Sequence, residues 1–279
     1  MDVLTYSPSS VSDALAWWHG HPDARPLAGG TDLLVRLKDA PEWPPLLDLT
    51  YVAGLRGIRI TDGIVTIGAL STYNDIENSA VILEHAPLLS EAAALVGSPQ
   101  IRNRGTIAGN IANASPAGDL LPPLCALDAR VDVISTAGAR SVPLEHVMLA
   151  PGKTALRPYE LISSVSFASS KETDSVFERL GQRQALAISK VSLALVARHA
   201  GRAIDFVRIA LGAVAPVIIR ARKTEELLGG KLLDDALMRA ACDLVQQEAA
   251  PITDIRSNDQ YRRAMCGALL ERALRRTVQ

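Results

Sequence analysis

The reading of the fold turns on Pro26-Leu27-Ala28-Gly29-Gly30-Thr31-Asp32-Leu33-Leu34-Val35-Arg36-Leu37-Lys38, PLAGGTDLLVRLK. A strand-like apolar approach runs into two glycines, and helix-forming residues follow at once, to about Lys38. Glycine has no Cβ, so it reaches positive φ and lets other atoms come close to the backbone. Consecutive N–H groups in such a turn form a concave anion site. A helix starting near Thr31 adds unpaired N–H groups and the positive end of its dipole. Thr31 and Asp32 can cap that helix or meet ligand hydroxyls. Taken alone, a Gly-Gly before a helix is most often just the tight turn of a βα unit.

Outward from this turn, Val3–Tyr6 reads as a short strand, and Ser9 or Ser10 caps a helix through Val11–Trp18, ended by His19-Gly20-His21-Pro22. With strands at Arg25–Ala28 and Leu46–Leu49, the first fifty residues read β-α-β-α-β, the pattern of a small parallel sheet. Gly57–Gly68 alternates about Asp62-Gly63, a hairpin signal. Helices are expected near Thr72–Ser79 and Pro87–Val96. A second glycine-rich segment, Gly105–Asp119, has neither helical nor strand periodicity and reads as a long loop. Behind it come an apolar helical run, Leu120–Leu127, and strands near Arg130–Ile134 and Leu161–Phe167. The polar stretch Ser169–Ser175 reads as a linker. Val191–His199 and Ile204–Gly212 read as antiparallel strands joined by Ala200-Gly201-Arg202, with helices over Leu233–Glu248 and Asp259–Arg275 closing the chain. These elements divide into a domain over 1–170, with subdomains about 1–55 and 56–170, and a sheet-plus-helix domain over 176–279.

The composition excludes several classes. Of 279 residues, 48% are hydrophobic, enough for a sizeable core. Lys and Arg number 29 against 30 Asp and Glu, so no basic field points to nucleic acid, and 4% aromatics disfavour base stacking. No apolar run is long enough to span a bilayer, and no signal peptide is visible, so a cytoplasmic location is expected. Cys125, Cys242 and Cys266 are too scattered for a disulfide framework or a metal site. The five histidines, His19, His21, His85, His146 and His199, mostly adjoin turns and read as solvent or capping residues. No metal ligands and no catalytic acid or base are identified.

A structureless loop as long as Gly105–Asp119 is uncommon in a compact domain and is often functional. Two glycine segments in one domain point to one large ligand gripped at two places, with main-chain amides of both segments converging on a diphosphate. Neither G-x-G-x-x-G nor GxxxxGK[ST] is present, so the Rossmann and P-loop readings fail.

Three stretches carry a family resemblance: AGGTD at Ala28–Asp32, QIRNRGTIAGNIANASPAGD at Gln100–Asp119, and TDIRSNDQYRRAMCGALLERAL at Thr253–Leu274. Together they resemble the FAD-binding medium subunit of molybdenum hydroxylases, the xanthine dehydrogenase and carbon monoxide dehydrogenase family. The resemblance implies an α+β chain: a two-lobed FAD-binding domain of the vanillyl-alcohol oxidase/MurB type, then a C-terminal domain with a three-stranded antiparallel sheet and helices. It implies that Leu27, Ala28, Gly29, Gly30, Thr31, Asp32 and Leu33 wrap the FAD pyrophosphate, and that Gly105, Thr106, Gly109 and Asn110 form a second wall. Ala112 and Asn113 would lie along the flavin and ribityl portion, Asp119 would accept from a cofactor hydroxyl, Ile162 would touch the flavin edge, and Val96 or Gly97 would fall near the ring. Some family members place a lysine near the flavin where this chain has Gly181 or Gln182.

The implied function is that of an FAD-carrying electron-transfer subunit in a heterotrimer. A large subunit would hold the molybdopterin and a small subunit the 2Fe–2S clusters, and electrons would leave for NAD or a quinone. A dimer of heterotrimers is a further expectation. FAD is expected to be noncovalent, because no histidine lies in either glycine segment. The segment Gly181–Ser189 looks closest to xanthine-dehydrogenase-type subunits, which favours a purine or N-heterocycle as the substrate of the complex. The absence of clustered cysteines disfavours the 4-hydroxybenzoyl-CoA reductase branch. The alternatives are a stand-alone FAD oxidoreductase on the same fold and a non-catalytic nucleotide-binding protein.

Overall fold

In the computed structural model, which describes residues 3–183, 186–201 and 203–277, three main sheets follow one another along the chain. The first holds β1 (Thr5–Tyr6), β2 (Arg25–Leu27) and β3 (Leu46–Asp48), all parallel with β3 in the middle. Between β1 and β2 lies α1 (Val11–Gly20), whose cap Ser10 accepts from the Asp13 N–H. Between β2 and β3 lies α2 (Leu33–Leu37). Ala14, Leu15, Leu47, Leu49, Val52 and Leu55 form this lobe's small core.

The second sheet has five antiparallel strands. They are β4 (Ile58–Thr61), β5 (Ile64–Gly68), β6 (Arg130–Ser135), β7 (Gly138–Pro143) and, after the short pair β8 (Met148–Ala150) and β9 (Lys153–Thr154), β10 (Leu161–Ala168). Their order is β4-β5-β10-β6-β7. Asp62 at φ +51° and Gly63 at φ +74° close the first hairpin, as a two-residue turn with both central residues left-handed requires. Six helices come from this lobe: α3 (Tyr73–Glu77), α4 (Ala80–His85), α5 (Pro87–Ala94), α6 (Pro99–Arg102), α7 (Ile107–Asn113) and α8 (Leu121–Ala126). Ile76, Ile82, Leu88, Leu89, Ile107, Ile111 and Leu124 meet Val65, Ile67, Val131 and Val165 of the sheet in one core.

The third sheet runs β11 (Asp174–Leu180), β12 (Val191–Ala200), β13 (Ala203–Gly212) and β14 (Ile219–Arg220) in sequence order. Helices α9 (Arg222–Leu228), α10 (Asp235–Glu248) and α11 (Asp259–Thr277) complete the chain. The period-2 alternation of a strand sorts β12 into two faces. Ala194 and Val196 join the core of the preceding lobe, while Leu193, Leu195 and Ala197 pack with the helices. With both faces covered, β12 reads as an almost unbroken apolar run, and the sheet is a plate buried between two cores.

Several expectations change. The C-terminal sheet has a fourth, two-residue edge strand beyond the three expected. Part of the expected linker belongs to β11, which begins at Asp174. Strands β7, β8 and β9 and helices α4, α6 and α9 are additions. Most informative is α7, a seven-residue helix where a loop was expected. Gly109, Asn110 and Asn113 are poor helix formers, but the Thr106 hydroxyl caps the helix by accepting from the Gly109 N–H, and the buried Ile107 and Ile111 anchor it. Arg202 of the expected turn, and Gln184 and Ala185 of the Gly181–Ser189 segment, lie outside the described residues.

Candidate functional site

Tight packing brings the two glycine segments together. A Cβ on Gly29 would stand 1.9 Å from the carbonyl oxygen of Arg104 and 3.0 Å from the Cα of Gly105, so the first turn lies directly on the backbone of the second segment. Gly30 has φ +76°, which closes the turn into α2. Gly105 is bare for a different neighbour, since its Cβ would meet the Tyr73 ring at 2.4 Å. Asn113, at the end of α7, donates to Asp32 at 3.1 Å and accepts from Arg36 of α2, which ties the two segments side chain to side chain.

Between them opens a cleft of about 550 Å³, within the range of small-molecule sites. One wall is Ala28, Gly29, Gly30, Thr31, Asp32 and Leu33; the facing wall is Thr106, Gly109, Asn110, Ala112 and Asn113, with Ile162 also in the lining. Among the described residues, the N–H groups of Gly29, Gly30, Thr31, Asp32 and Leu33 find no acceptor within the protein. Five consecutive unused donors on one wall are a ready anion site. The facing segment differs, because the amides of Ile107, Ala108, Gly109 and Asn110 donate to Ser71, Ala69, Thr106 Oγ1 and Thr106 O. The expectation of bare amides therefore holds across the first segment, whereas over Thr106–Asn110 of the second only the Thr106 N–H is unused. The second offers side chains as well, and its Asn110 Oδ1 is buried with no partner among the described residues. Asp32 caps nothing, being used by Asn113.

Four expected residues stand outside the cleft lining. Leu27 is on β2, with its side chain against the Gly30 turn. Gly97 sits at φ +50° beside Ile101, between α5 and α6. Gly105 is behind the wall, under Tyr73. Asp119 is engaged: Arg179 of β11 bonds one carboxylate oxygen at 2.8 Å and Ser189 donates to the other at 2.6 Å. Burial pushes the Asp119 carboxyl up, opposed by Ser189 and Arg179. One Arg179 nitrogen, Nη2, is buried with no partner among the described residues.

The sequence reading missed Tyr73, Trp18, Arg36, Arg179 and Tyr159. Tyr73 lines the cleft floor, where burial raises its hydroxyl well above its ordinary value against a hydrogen bond with Asn110. Nothing local marks it, since it is simply the residue after the cap Thr72. At one end of the cleft Trp18 meets Tyr159 edge-on at 5.6 Å, and Tyr159 holds φ +62°. A left-handed backbone at a bulky residue is strained, and such strain gathers at ligand sites. The next residue, Glu160, pins this turn by accepting two bonds from Arg140 and one from the Arg157 N–H.

Comparison with known proteins agrees with this geometry. The family described as the FAD binding domain in molybdopterin dehydrogenase matches residues 1–168, and the CO dehydrogenase flavoprotein C-terminal domain matches residues 177–277. The chain belongs to the FAD-binding medium subunits of the molybdenum hydroxylase family. This medium subunit is 34% identical over 272 residues to the carbon monoxide dehydrogenase medium chain of Hydrogenophaga pseudoflava, covering 96% of this chain and 94% of that one. It is 28% identical to the xanthine dehydrogenase FAD-binding subunit of Escherichia coli O157:H7, covering 97% and 94%. The solved structure of the Hydrogenophaga pseudoflava carbon monoxide dehydrogenase lacking the Mo-pyranopterin moiety of its molybdenum cofactor superposes with a TM-score of 0.95 at 33% identity, covering 99% of this chain and 97% of that one. The medium subunit is thus a flavoprotein component of an oxidoreductase, and FAD is its cofactor. Its residues fit that cofactor: unused amides suit a pyrophosphate, and the orphaned Asn110 oxygen suits a ligand donor. Among the described residues no helix is long and apolar enough to cross a membrane.

Proposed function

We propose that the cleft between the Gly29-Gly30 turn and α7 holds FAD noncovalently, and that the chain relays electrons from the 2Fe–2S clusters of a small partner subunit to an external acceptor such as NAD or a quinone. When bound, FAD supplies the electron-transfer chemistry. The amides of Gly29 to Leu33 meet the pyrophosphate. Asn110 and Asn113 orient the remainder from α7, and Trp18 and Tyr159 flank one of the two ring systems with an aromatic edge. Ala28, Ala112 and Ile162 exclude water along the walls. The pair Asp119–Arg179 stands outside the cleft lining and ties the turn after α7 to the C-terminal sheet. Leu27, Gly97 and Gly105 act behind the lining, by shaping the turns.

Molybdopterin and the substrate belong to a large partner subunit in this reading, and the heterotrimers pair into dimers. A purine or N-heterocycle is the proposed substrate, supported by the likeness to a xanthine dehydrogenase subunit. The cytoplasm is the proposed location. The observation that carries the cofactor reading is the row of five unused amides on one wall of the cleft. Purified chain, reconstituted with FAD and passed over a desalting column, is expected to retain about one flavin per chain and to release FAD on denaturation. Chain that retains ADP but no flavin would favour a nucleotide-binding protein instead, and turnover of a small substrate without partners would favour a stand-alone oxidoreductase.

A further inference from the structure

The tail motif Thr253–Leu274 contributes nothing to the cleft lining, yet it buries a guanidinium. Arg262, on α11, has a side chain only 3% exposed. Its Nη2 bonds Asp254 at 2.6 Å, its Nη1 donates to the Ala213 carbonyl at 2.8 Å, and its Nε has no partner among the described residues. A buried charge with an unmet donor is costly, which raises the question of what its two bonds secure. Asp254 is itself held by the side chain and N–H of Arg256.

Ala213 answers it. At the end of β13 it adopts φ +61°, the left-handed region where a residue with a Cβ is strained. In that conformation its N–H donates to the Pro116 carbonyl at 2.7 Å. Pro116 belongs to the turn Ser115–Asp119, directly after α7. The same turn sets Gly118 so close to Asn110 that a Cβ there would lie 3.1 Å from Nδ2. Hydrogen bonds therefore run from Asp254 through Arg262 and Ala213 to Pro116, and the same turn brings Gly118 against Asn110 in the cleft wall.

We propose that Arg262 is a positioning residue for the cofactor: it holds Ala213 left-handed, which fixes the Pro116 carbonyl and the turn that sets Asn110 in the wall of the cleft. This rests on reading the cleft as the FAD site. Because glycine takes φ > 0 freely, Ala213→Gly supplies the same turn without help from Arg262. A role in stability alone lowers the melting temperature of Arg262→Gln, which Ala213→Gly can also restore by relieving strain, but leaves the FAD dissociation constant of the folded chain unchanged.

The test measures FAD dissociation constants on the full chain by flavin fluorescence, with circular dichroism and thermal melts of the apoprotein alongside. Arg262→Gln is expected to weaken FAD binding about tenfold. Asp254→Asn is expected to act in the same direction but less, and Ala213→Gly in either background to restore affinity to within about threefold of wild type. Should Arg262→Gln not fold, Asp254→Asn carries the test, since its carboxylate is 18% exposed. Variants that bind FAD as wild type does, or that stay weak when Ala213→Gly is added, would overturn the proposal. A wild-type chain that binds no FAD would remove the reading of the cleft, and this inference with it.

Discussion

Adding one methyl group at Gly29 tests the convergence of the two segments. In Gly29→Ala the new Cβ would stand 1.9 Å from the Arg104 carbonyl oxygen. A C···O contact needs about 3.3 Å, so the two backbones must separate by about 1.4 Å. Both atoms in the clash are fixed to main chain, so no side-chain rotation relieves it. The same shift would stretch the Asn113–Asp32 bond from 3.1 Å past hydrogen-bonding range. It would also swing the five unused amides off a shared anion. Losing two bonds to a charged acceptor at about 1.5 kcal/mol each gives about 3 kcal/mol, roughly a hundredfold in affinity. Equilibrium dialysis of FAD measures this, with circular dichroism to confirm the fold. Gly20→Ala is the control: Gly20 is the last residue of α1, nothing lies within 4 Å of its Cβ position, and φ there is not positive. That variant should bind FAD as wild type and be stabilised by up to about 1 kcal/mol. A folded Gly29→Ala that binds FAD within about threefold of wild type would show that the two segments need not touch to hold the cofactor, because a shift of the predicted size is a misplacement binding does not tolerate.

Three further outcomes are expected. Asn110→Ala should weaken FAD binding by about 1 kcal/mol, measured by the same dialysis, and should also lower apoprotein melting, because it removes the hydrogen bond to the buried Tyr73 hydroxyl. Asp119→Asn strands the buried Arg179 charge and should lower the unfolding free energy by about 3 kcal/mol in urea titration, whereas Asp119→Leu combined with Arg179→Leu should recover much of it. Acid should destabilise the chain through two carboxylates. At Asp254 burial opposes the charge, but hydrogen bonds from Arg256 and Arg262 outweigh it and hold the carboxyl well below the usual range. At Glu160 the Arg140 bonds lower it against burial, helped by the Arg157 N–H. A carboxyl lowered in the folded state takes up protons more readily when unfolded, so its stabilisation is present at neutral pH and lost as pH falls through the ordinary carboxylate range toward the folded value. Melting temperature followed from pH 7 down to about pH 3 should fall, and should fall less in Asp254→Asn.

What could be read without coordinates followed from local rules. The parallel lobe, the Asp62-Gly63 hairpin and the paired strands of the C-terminal sheet rest on periodicity and turn chemistry, which act within a few residues. The misses share a different cause. Helix α7 was hidden because its propensity is poor and its stability comes from one hydroxyl cap and two buried isoleucines. Gly29 and Gly105 looked alike as ligand-approach glycines, but each is bare for a protein neighbour, Arg104 in one case and Tyr73 in the other. The family resemblance singled out Asp119 but not its partner, because Arg179 lies 60 residues on and reaches it only when β11 packs against the turn. Trp18 and Tyr159 are likewise separated along the chain and meet only in the cleft lining.

Amide hydrogen exchange with and without FAD separates the two walls most directly. Among the described residues, main-chain donors at Gly29 to Leu33 have no acceptor, whereas those at Ile107 to Asn110 are already bonded. FAD is expected to slow exchange sharply across the first group and to leave the second nearly unchanged. Protection confined to the second group, or to neither, would contradict a pyrophosphate held by the Gly29–Leu33 amides.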